Sequence, residues 1–437
     1  MRNFSTYMSR YLIKNVLCLV FVVAGARLTY AQSDTIRMMQ YNLMYYTNTS
    51  GVSDCNSTTN NLDNKDVNIK KIFHYVKPTV FCVCELGSNN EYADRLLNNA
   101  INTDGIDYYK RGALTNYSGG YIANMIYYDS RKLTLYDSYT ITTAYRDING
   151  YKMYYNSTDL VNGDTVFITF WIAHLKAGSS DANESSRLTQ TQRLMNKISQ
   201  LGDPGYYVFS GDFNFTSHEE PGYQELVEYP NSLYRFYDPV NSPGYWHNNY
   251  QFANLHTQST RTYSDGCFVT GGLDDRFDFI LVSPYIYYGS GKVHIVPDSY
   301  HALGQDGNRF NGSIVSPSNN SVPADIATAL YNQSDHLPVI MDMAIDATVG
   351  IKELTRNFYM NVVNPVGGSL KIELQNEESA DYTFEVYSID GRLLMRQEES
   401  LEHGIHNLDF GFNYGKGIYL LVVKNDKGGQ MIRKIIK

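Results

Sequence analysis

Six short apolar runs in this chain stop on, or run straight into, isolated polar residues. M-M-Q-Y ends at Asn42, V-F-C-V-C at Glu85 and V-F-I-T-F-W-I-A at His174. Y-Y-V-F-S-G leads into Asp212 and Asn214, Asp278 lies inside R-F-D-F-I-L-V, and Asp335-His336 directly precede L-P-V-I-M-D-M-A-I. Runs of this length, rich in β-branched and aromatic residues, read as buried strands. Between the first two, Val67, Ile69, Ile72, Phe73 and Val76 fall near helical spacing before Pro78 closes the segment. A second helix is expected in N-E-Y-A-D-R-L-L-N-N-A and a long one over 183–201, with three or four meander-like strands over 120–174. Strands alternating with helices, plus hairpins, predict an α/β domain with mixed sheets.

The chain of 437 residues suits one large domain and a small one. Its basic start and short apolar stretch, followed by Thr29-Tyr30-Ala31, read as a signal peptide over 1–31, which takes Cys18 with it. Of the remaining cysteines, Cys82 and Cys84 alternate with Phe81 and Val83 and should share one buried face. Cys55 and Cys267 lie in polar loops and could pair after export. Residues 32–350 hold 33 Asp and Glu against 21 Lys and Arg, which argues against a broad electrostatic grip on nucleic acid. Phosphate chemistry on such a surface needs bound cations. The 39 tyrosines suit half-buried strands first and stacking on bases or sugars second. Two long segments, 230–275 and 304–323, lack periodicity, a common property of functional or mobile loops.

Character changes near Gly350. Strand-like runs separated by Gly turns predict a small all-β sandwich over 361–437, after a linker over 347–360 and a catalytic domain over 32–346.

Each polar strand end has a plain explanation when taken alone, such as a turn cap or a structural histidine. Together they suit one chemistry. Glu85, Asp335 and the Asn42 carboxamide are hard oxygen ligands for Mg²⁺, Mn²⁺ or Ca²⁺. Two histidines could move protons or donate to a phosphoryl oxygen, and Asp278 could orient one of them. No G-x-S-x-G element supplies a serine nucleophile. Cation-assisted attack of water on a phosphate ester is the natural reading.

The ordered series Asn42, Glu85, H-L-K (174–176), G-D-F-N (211–214), R-F-D-F-I (276–280) and S-D-H-L-P-V (334–339) resembles the endonuclease/exonuclease/phosphatase superfamily, which includes deoxyribonuclease I. The resemblance runs from about residue 36 to 346 and implies a four-layer α/β sandwich of two mixed sheets flanked by helices. It implies Glu85 as principal metal ligand with Asn42 and Asp335 beside it. Asp212 would position or deprotonate the attacking water and Asn214 would orient it. His336, held by Asp278, is the base candidate, and His174 the donor to a non-bridging oxygen. Arg187 and Gln192 match a common pattern of the family, with buried structural support as the alternative. Cys84 stands where the family usually has Gln.

Asn364-Pro365, the Y-S-I-D-G-R turn, G-I-Y-L-L-V-V and the basic R-K-I-I-K end resemble the C-terminal sorting domain of type IX secretion substrates. The expected protein is therefore a monomeric phosphoesterase exported through the periplasm to the cell surface or beyond. Its partners would be the type IX machinery and a phosphate-ester substrate, nucleic acid foremost. A phospholipid or a sugar or inositol phosphate is the alternative substrate, and a non-catalytic binding protein on the same scaffold the alternative class.

Overall fold

The computed structural model describes residues 33–48, 55–157, 160, 165–264, 266–346, 358–388, 392–427 and 429–437. The expected signal peptide and most of the expected linker lie outside the described residues.

The chain builds one sheet, leaves it for a second, and returns. β1 (Ser33–Tyr46) runs parallel to β2 (Val80–Gly87), joined by α1 (Leu62–Val76). After α2 (Asn90–Leu96), β3 (Tyr109–Arg111) and β4 (Ile122–Asp129) continue the first sheet. The second sheet has the spatial order β5 (Leu133–Ile141), β6 (Ile148–Tyr155), β7 (Phe167–His174), β8 (Tyr206–Asp212) and β9 (Asp278–Val282). Within it only β7 and β8 are parallel, joined by α3 (Asp181–Leu201), and α4 (Pro221–Val227) follows β8. After α5 (Pro284–Tyr287), β10 (Val293–Ile295), β11 (His301–Ala302) and β12 (Val339–Asp346) rejoin the first sheet antiparallel, with α6 (Ala324–Gln333) before β12.

Alternation along the strands sorts the cores. Ile36 and Met38 of β1, Val80 and Cys82 of β2, Phe170 of β7, Val208 of β8 and Ile280 of β9 fill the space between the sheets. Their neighbours face outward, Met39 and Phe81 onto Ile69, Ile72 and Phe73 of α1, and Trp171 and Phe209 onto Leu194, Met195 and Ile198 of α3. Burying each such large side chain contributes about 1.5–3 kcal/mol. The result is the expected four layers, helix, sheet, sheet, helix. The long helix begins at Asp181, two residues before the expected start, because the Ser180 hydroxyl accepts from the Asn183 N–H and caps it. Cys82 and Cys84 are free thiols on one buried face, as alternation predicts, and Cys55 and Cys267 form a disulfide.

The tail packs a three-stranded sheet of β13 (Phe358–Val362), β14 (Ser369–Asn376) and β17 (Gly404–Gly411) against β15 (Ala380–Ser388), β16 (Leu393–Leu401), β18 (Ile418–Asn425) and β19 (Gln430–Ile436). Phe358, Met360, Leu370, Phe384 and Leu421 form its core. β13 thus begins inside the span read as linker, because Phe358 and Met360 have a core face to fill. Among the described residues no helix is long and apolar enough to cross a membrane.

Candidate active site

Strand register delivers most of the polar set to one edge of the sandwich. On β7 and β8 the alternation that sends Phe170 and Val208 between the sheets carries on to His174 and Asp212, which are register partners. Asp212 is also paired with Asp278 at the start of antiparallel β9. Gly211 is required here, since a Cβ would lie 1.8 Å from the Ala173 carbonyl oxygen. Glu85 arrives differently. Alternation from Val80, Cys82 and Cys84 would aim it at the helix layer, but the register breaks between Val83 and Leu86 and Glu85 takes φ 58°. A non-glycine residue in that region is uncommon and marks a local demand on the backbone.

The side chains then meet. The Asn42 Nδ2 amide donates to Glu85 Oε1 (3.0 Å) and Asp212 Oδ2 (2.9 Å). Its Oδ1 accepts from the Met44 N–H at 2.8 Å, so the oxygen expected to be a ligand is turned to the backbone. Asn214, also at positive φ, gives both its N–H and its Nδ2 to Asp212 Oδ1, at 3.1 and 2.8 Å. His336 Nδ1 is 2.7 Å from Asp278 Oδ2, the expected pair. Asp335 Oδ2 accepts from Val269 N–H (3.2 Å) and Gln258 Nε2 (3.3 Å). Ligand atoms of Glu85, His174 and Asp212 all lie within 4.8 Å of one another, a group that does not include Asp335.

Burial dominates the electrostatics. It raises the Glu85 carboxyl, helped by the Asp335 charge and opposed by the Asn42 amide and His336. Burial also pushes Asp212 up to about 7, with His336 opposing and the Asp278 and Glu85 charges adding to it. At His336 burial works against the charged ring, but Asp278 and Asp212 outweigh it and hold the ring well above its usual value. His174 is held well below, by burial and then by Arg146, His336 and Lys176, and stays neutral. His174 Nδ1 is buried without a hydrogen-bond partner. Among the described residues neither Glu85 nor Asp212 has an ion pair with Lys or Arg. Two buried, mutually repelling carboxylates beside a neutral imidazole with a vacant ring nitrogen fit a divalent cation.

These groups open onto a cavity of about 650 Å³. Gln258, in the long irregular segment, contributes to it and was not singled out in the sequence. Its Nε2 lies 2.7 Å from His336 Nε2, so that nitrogen can carry a proton only if the amide turns its oxygen inward. The same segment supplies Tyr245, His247, Cys267, Val269 and Asp275. The other long loop supplies nothing to the cavity; there Asn319 and Arg309 bond to their own loop's backbone. His247, Asp274 and Asp275 form a second group of close ligand atoms, although His247 Nδ1 is already 2.7 Å from Asp275 Oδ1.

Supporting residues are partly as expected. Arg187 is fully buried and bonds Glu220 and the carbonyls of Lys176 and Gly178, which fixes the turn after His174. Gln192 is exposed, and the buried amide is Gln190, whose Oε1 accepts from the Lys176 N–H. Helix phase explains this, because 187, 190, 191, 194 and 198 make the buried stripe. Cys84 accepts from Gln40 Nε2 of the neighbouring strand (3.4 Å). Lys65 is buried and donates to the carbonyls of Leu43 and Gln333, tying the Asn42 strand to the Asp335 loop. It was legible in principle, sitting four residues before Ile69 on the apolar stripe of α1.

Residues 364–437 match the family described as "Secretion system C-terminal sorting domain". The tail is a type IX sorting domain. Such a domain marks proteins exported to the cell surface or outside. No curated protein matches the chain. Among solved structures, the chain is similar to an endonuclease/exonuclease/phosphatase from Beutenbergia cavernae DSM 12333, at 14% identity and TM-score 0.42 over 92% of this chain and 100% of that one. It is similar to a humanized D. rerio TDP2, at 16% identity and TM-score 0.43 over 71% and 98%. The human Nocturnin catalytic domain with bound sulfate matches at 14% identity and TM-score 0.44 over 72% and 98%.

Proposed function

We propose that this chain is an exported, divalent-cation-dependent phosphodiesterase with nucleic acid as its leading substrate. The observation that carries the reading is the buried Glu85, His174 and Asp212 group next to the Asp278–His336 pair, all opening on one cavity. Mg²⁺, or Mn²⁺ or Ca²⁺, would be held by Glu85, with Asp335 and Asp212 completing the carboxylate set and the Asn42 amide linking Glu85 to Asp212. Bound there, the cation offsets the carboxylates' charge and polarises a phosphoryl oxygen.

The chain's own residues do the rest. Asp212, fixed by two donors from Asn214 and one from Asn42, can take a proton from an attacking water. His336, its ring oriented and kept charged by Asp278, faces Asp212 from 3.7 Å and stabilises the ionised carboxylate that takes the proton. Neutral His174 has one ring N–H with which to donate a hydrogen bond to a non-bridging oxygen.

The rim favours a substrate with flat rings. Tyr45 and Tyr245 line the cavity, Tyr245 is 56% exposed, and Tyr121 stacks on Tyr45 at 6.1 Å. Tyrosine faces suit bases, whereas insertion into a lipid surface draws on Leu, Phe and Trp. Among the described residues, exposed Val269 at the cavity edge favours a phospholipid instead.

The test is a panel of single- and double-stranded DNA, RNA, sphingomyelin, inositol phosphates and bis(p-nitrophenyl) phosphate, with Mg²⁺ and with chelator. Chelator-sensitive phosphodiester hydrolysis, lost in folded Glu85→Ala and His336→Ala, supports the proposal. Full activity in either variant sinks it.

A further inference from the structure

We infer that the Cys55–Cys267 disulfide is a positioning device for the cation-holding carboxylates, so that the site is completed by oxidation during export. The inference rests on the reading of Glu85 and Asp335 as those carboxylates.

The bond joins segments 212 residues apart in sequence. It sits in a small cluster of its own with Met44, Tyr45 and Phe268, away from the sandwich cores. Each side of that cluster ends at a site carboxylate through a backbone donor. On one side the Tyr45 N–H donates to Glu85 Oε2 at 2.9 Å, and Asn60, five residues beyond Cys55, donates to the Tyr45 and Thr47 carbonyls at 2.6 and 3.2 Å. On the other side, two residues beyond Cys267, the Val269 N–H donates to Asp335 Oδ2 at 3.2 Å. Cys267 and Val269 themselves line the cavity. Glu85, Tyr45, Asn60, Cys55, Cys267, Val269 and Asp335 thus form one connected path from carboxylate to carboxylate, with the disulfide as its covalent cross-link. Without it, the 261–272 loop is held near its ends by Ser259 N–H on the Gly272 carbonyl (2.5 Å) and Gly272 N–H on the Arg261 carbonyl (2.8 Å). Among the described residues, Ser259 Oγ on the Val269 carbonyl (2.6 Å) and the Arg261 guanidinium over the Phe268 ring (3.4 Å) then remain as ties near the donor.

The chemistry is selective. Cys82 and Cys84 are fully buried between the sheets, and burial pushes both thiols up, which leaves them unreactive. Among the described residues, reductant therefore addresses one bond. Reduction takes two electrons and two protons and yields two thiols. Formation returns them to an oxidised dithiol protein by thiol–disulfide exchange, available outside the cytoplasm and scarce within it. The sorting tail sends the chain along that route.

The experiment measures Mg²⁺ and Mn²⁺ affinity by calorimetry, and hydrolysis of bis(p-nitrophenyl) phosphate. It uses the full chain as the oxidised protein, the phosphine-reduced protein, and a Cys55→Ser/Cys267→Ser variant. Reduction and the double variant should each weaken cation affinity and lower kcat/KM at least tenfold, with near-UV circular dichroism kept, and reoxidation should restore the reduced protein. Val269→Pro, which removes the N–H and keeps the bond, should reproduce the loss; it decides the matter if the double variant does not fold. Affinity and kcat/KM within twofold of the oxidised protein overturn the inference. Cation binding that responds to reduction in a protein cleaving no phosphodiester would sink the proposed activity and leave this inference standing. No cation binding by the oxidised chain overturns both.

Discussion

Replacing Asp212 with Asn should stabilise the cation-free protein while abolishing its activity. Asp212 is 2% exposed and its carboxyl rises from 3.8 to about 7 on folding. Such a rise costs the folded state about 4 kcal/mol once the group is fully ionised, taking 1.36 kcal/mol per pKa unit. Asn keeps the shape and can still accept from Asn214, but its NH₂ would face the Asn42 NH₂ across a contact now 2.9 Å long. That mismatch returns about 2 kcal/mol, the attraction to His336 being already contained in the net rise of the carboxyl. A net gain of about 2 kcal/mol remains, which corresponds to about 2–4 °C in a domain of this size. The sign follows from linkage. A carboxyl raised on folding contributes stability that is complete below about pH 4 and is lost as pH rises through about 7. Wild-type protein in chelator should therefore melt progressively lower across that window, and Asp212→Asn should lack part of the slope. Differential scanning calorimetry between pH 4 and 8, with chelator and then with excess Mg²⁺, makes the measurement. Mg²⁺ should raise the wild-type Tm more than the variant's. A variant that melts at or below wild type in chelator at pH 8, with the same pH slope, would refute the view that unbalanced buried charge defines this site.

Three further outcomes follow from the geometry. Gln258→Ala removes the amide 2.7 Å from His336 Nε2 and should lower kcat about tenfold with KM little changed, read from steady-state kinetics on any phosphodiester the enzyme cleaves. Lys65→Met takes the Lys65 donor from the buried Leu43 and Gln333 carbonyls; because burial pulls that amine down to about 7, its bonds are only partly charge-assisted, and the loss should be about 2–4 kcal/mol in urea denaturation, at about 1–2 kcal/mol for each carbonyl. Gly211→Ala sets a Cβ against the Ala173 carbonyl, so β7 and β8 must separate; it should cost about 3 kcal/mol or more and reduce soluble yield.

Residues that obey strand alternation were legible in the sequence, and those that break it were legible only by their chemical type. His174 and Asp212 continue an inward-facing pattern, so their convergence follows from register alone. Glu85 violates its strand's phase and reaches the site through a left-handed backbone, which no periodicity reveals. The Asp278–His336 pair joins positions 58 residues apart and depended on reading carboxylate and imidazole as partners. Gln258, Val269 and Arg146 lie in or beside turns whose course is set by tertiary contacts, and nothing local marks them. The error at Gln192 was one of helix phase: two glutamines two residues apart lie on different faces, and Gln190 has the buried one. The direction of the Asn42 amide is a choice made by its neighbours, since the Met44 N–H claims the oxygen and two carboxylates claim the nitrogen.

The central claim, that Glu85 and its neighbours hold a divalent cation, is tested most directly by anomalous scattering from crystals grown with Mn²⁺. A manganese peak is expected within bonding distance of a Glu85 carboxylate oxygen, on the side facing Asp212 and His174. No peak at Glu85, or a peak confined to His247, Asp274 and Asp275, would contradict it.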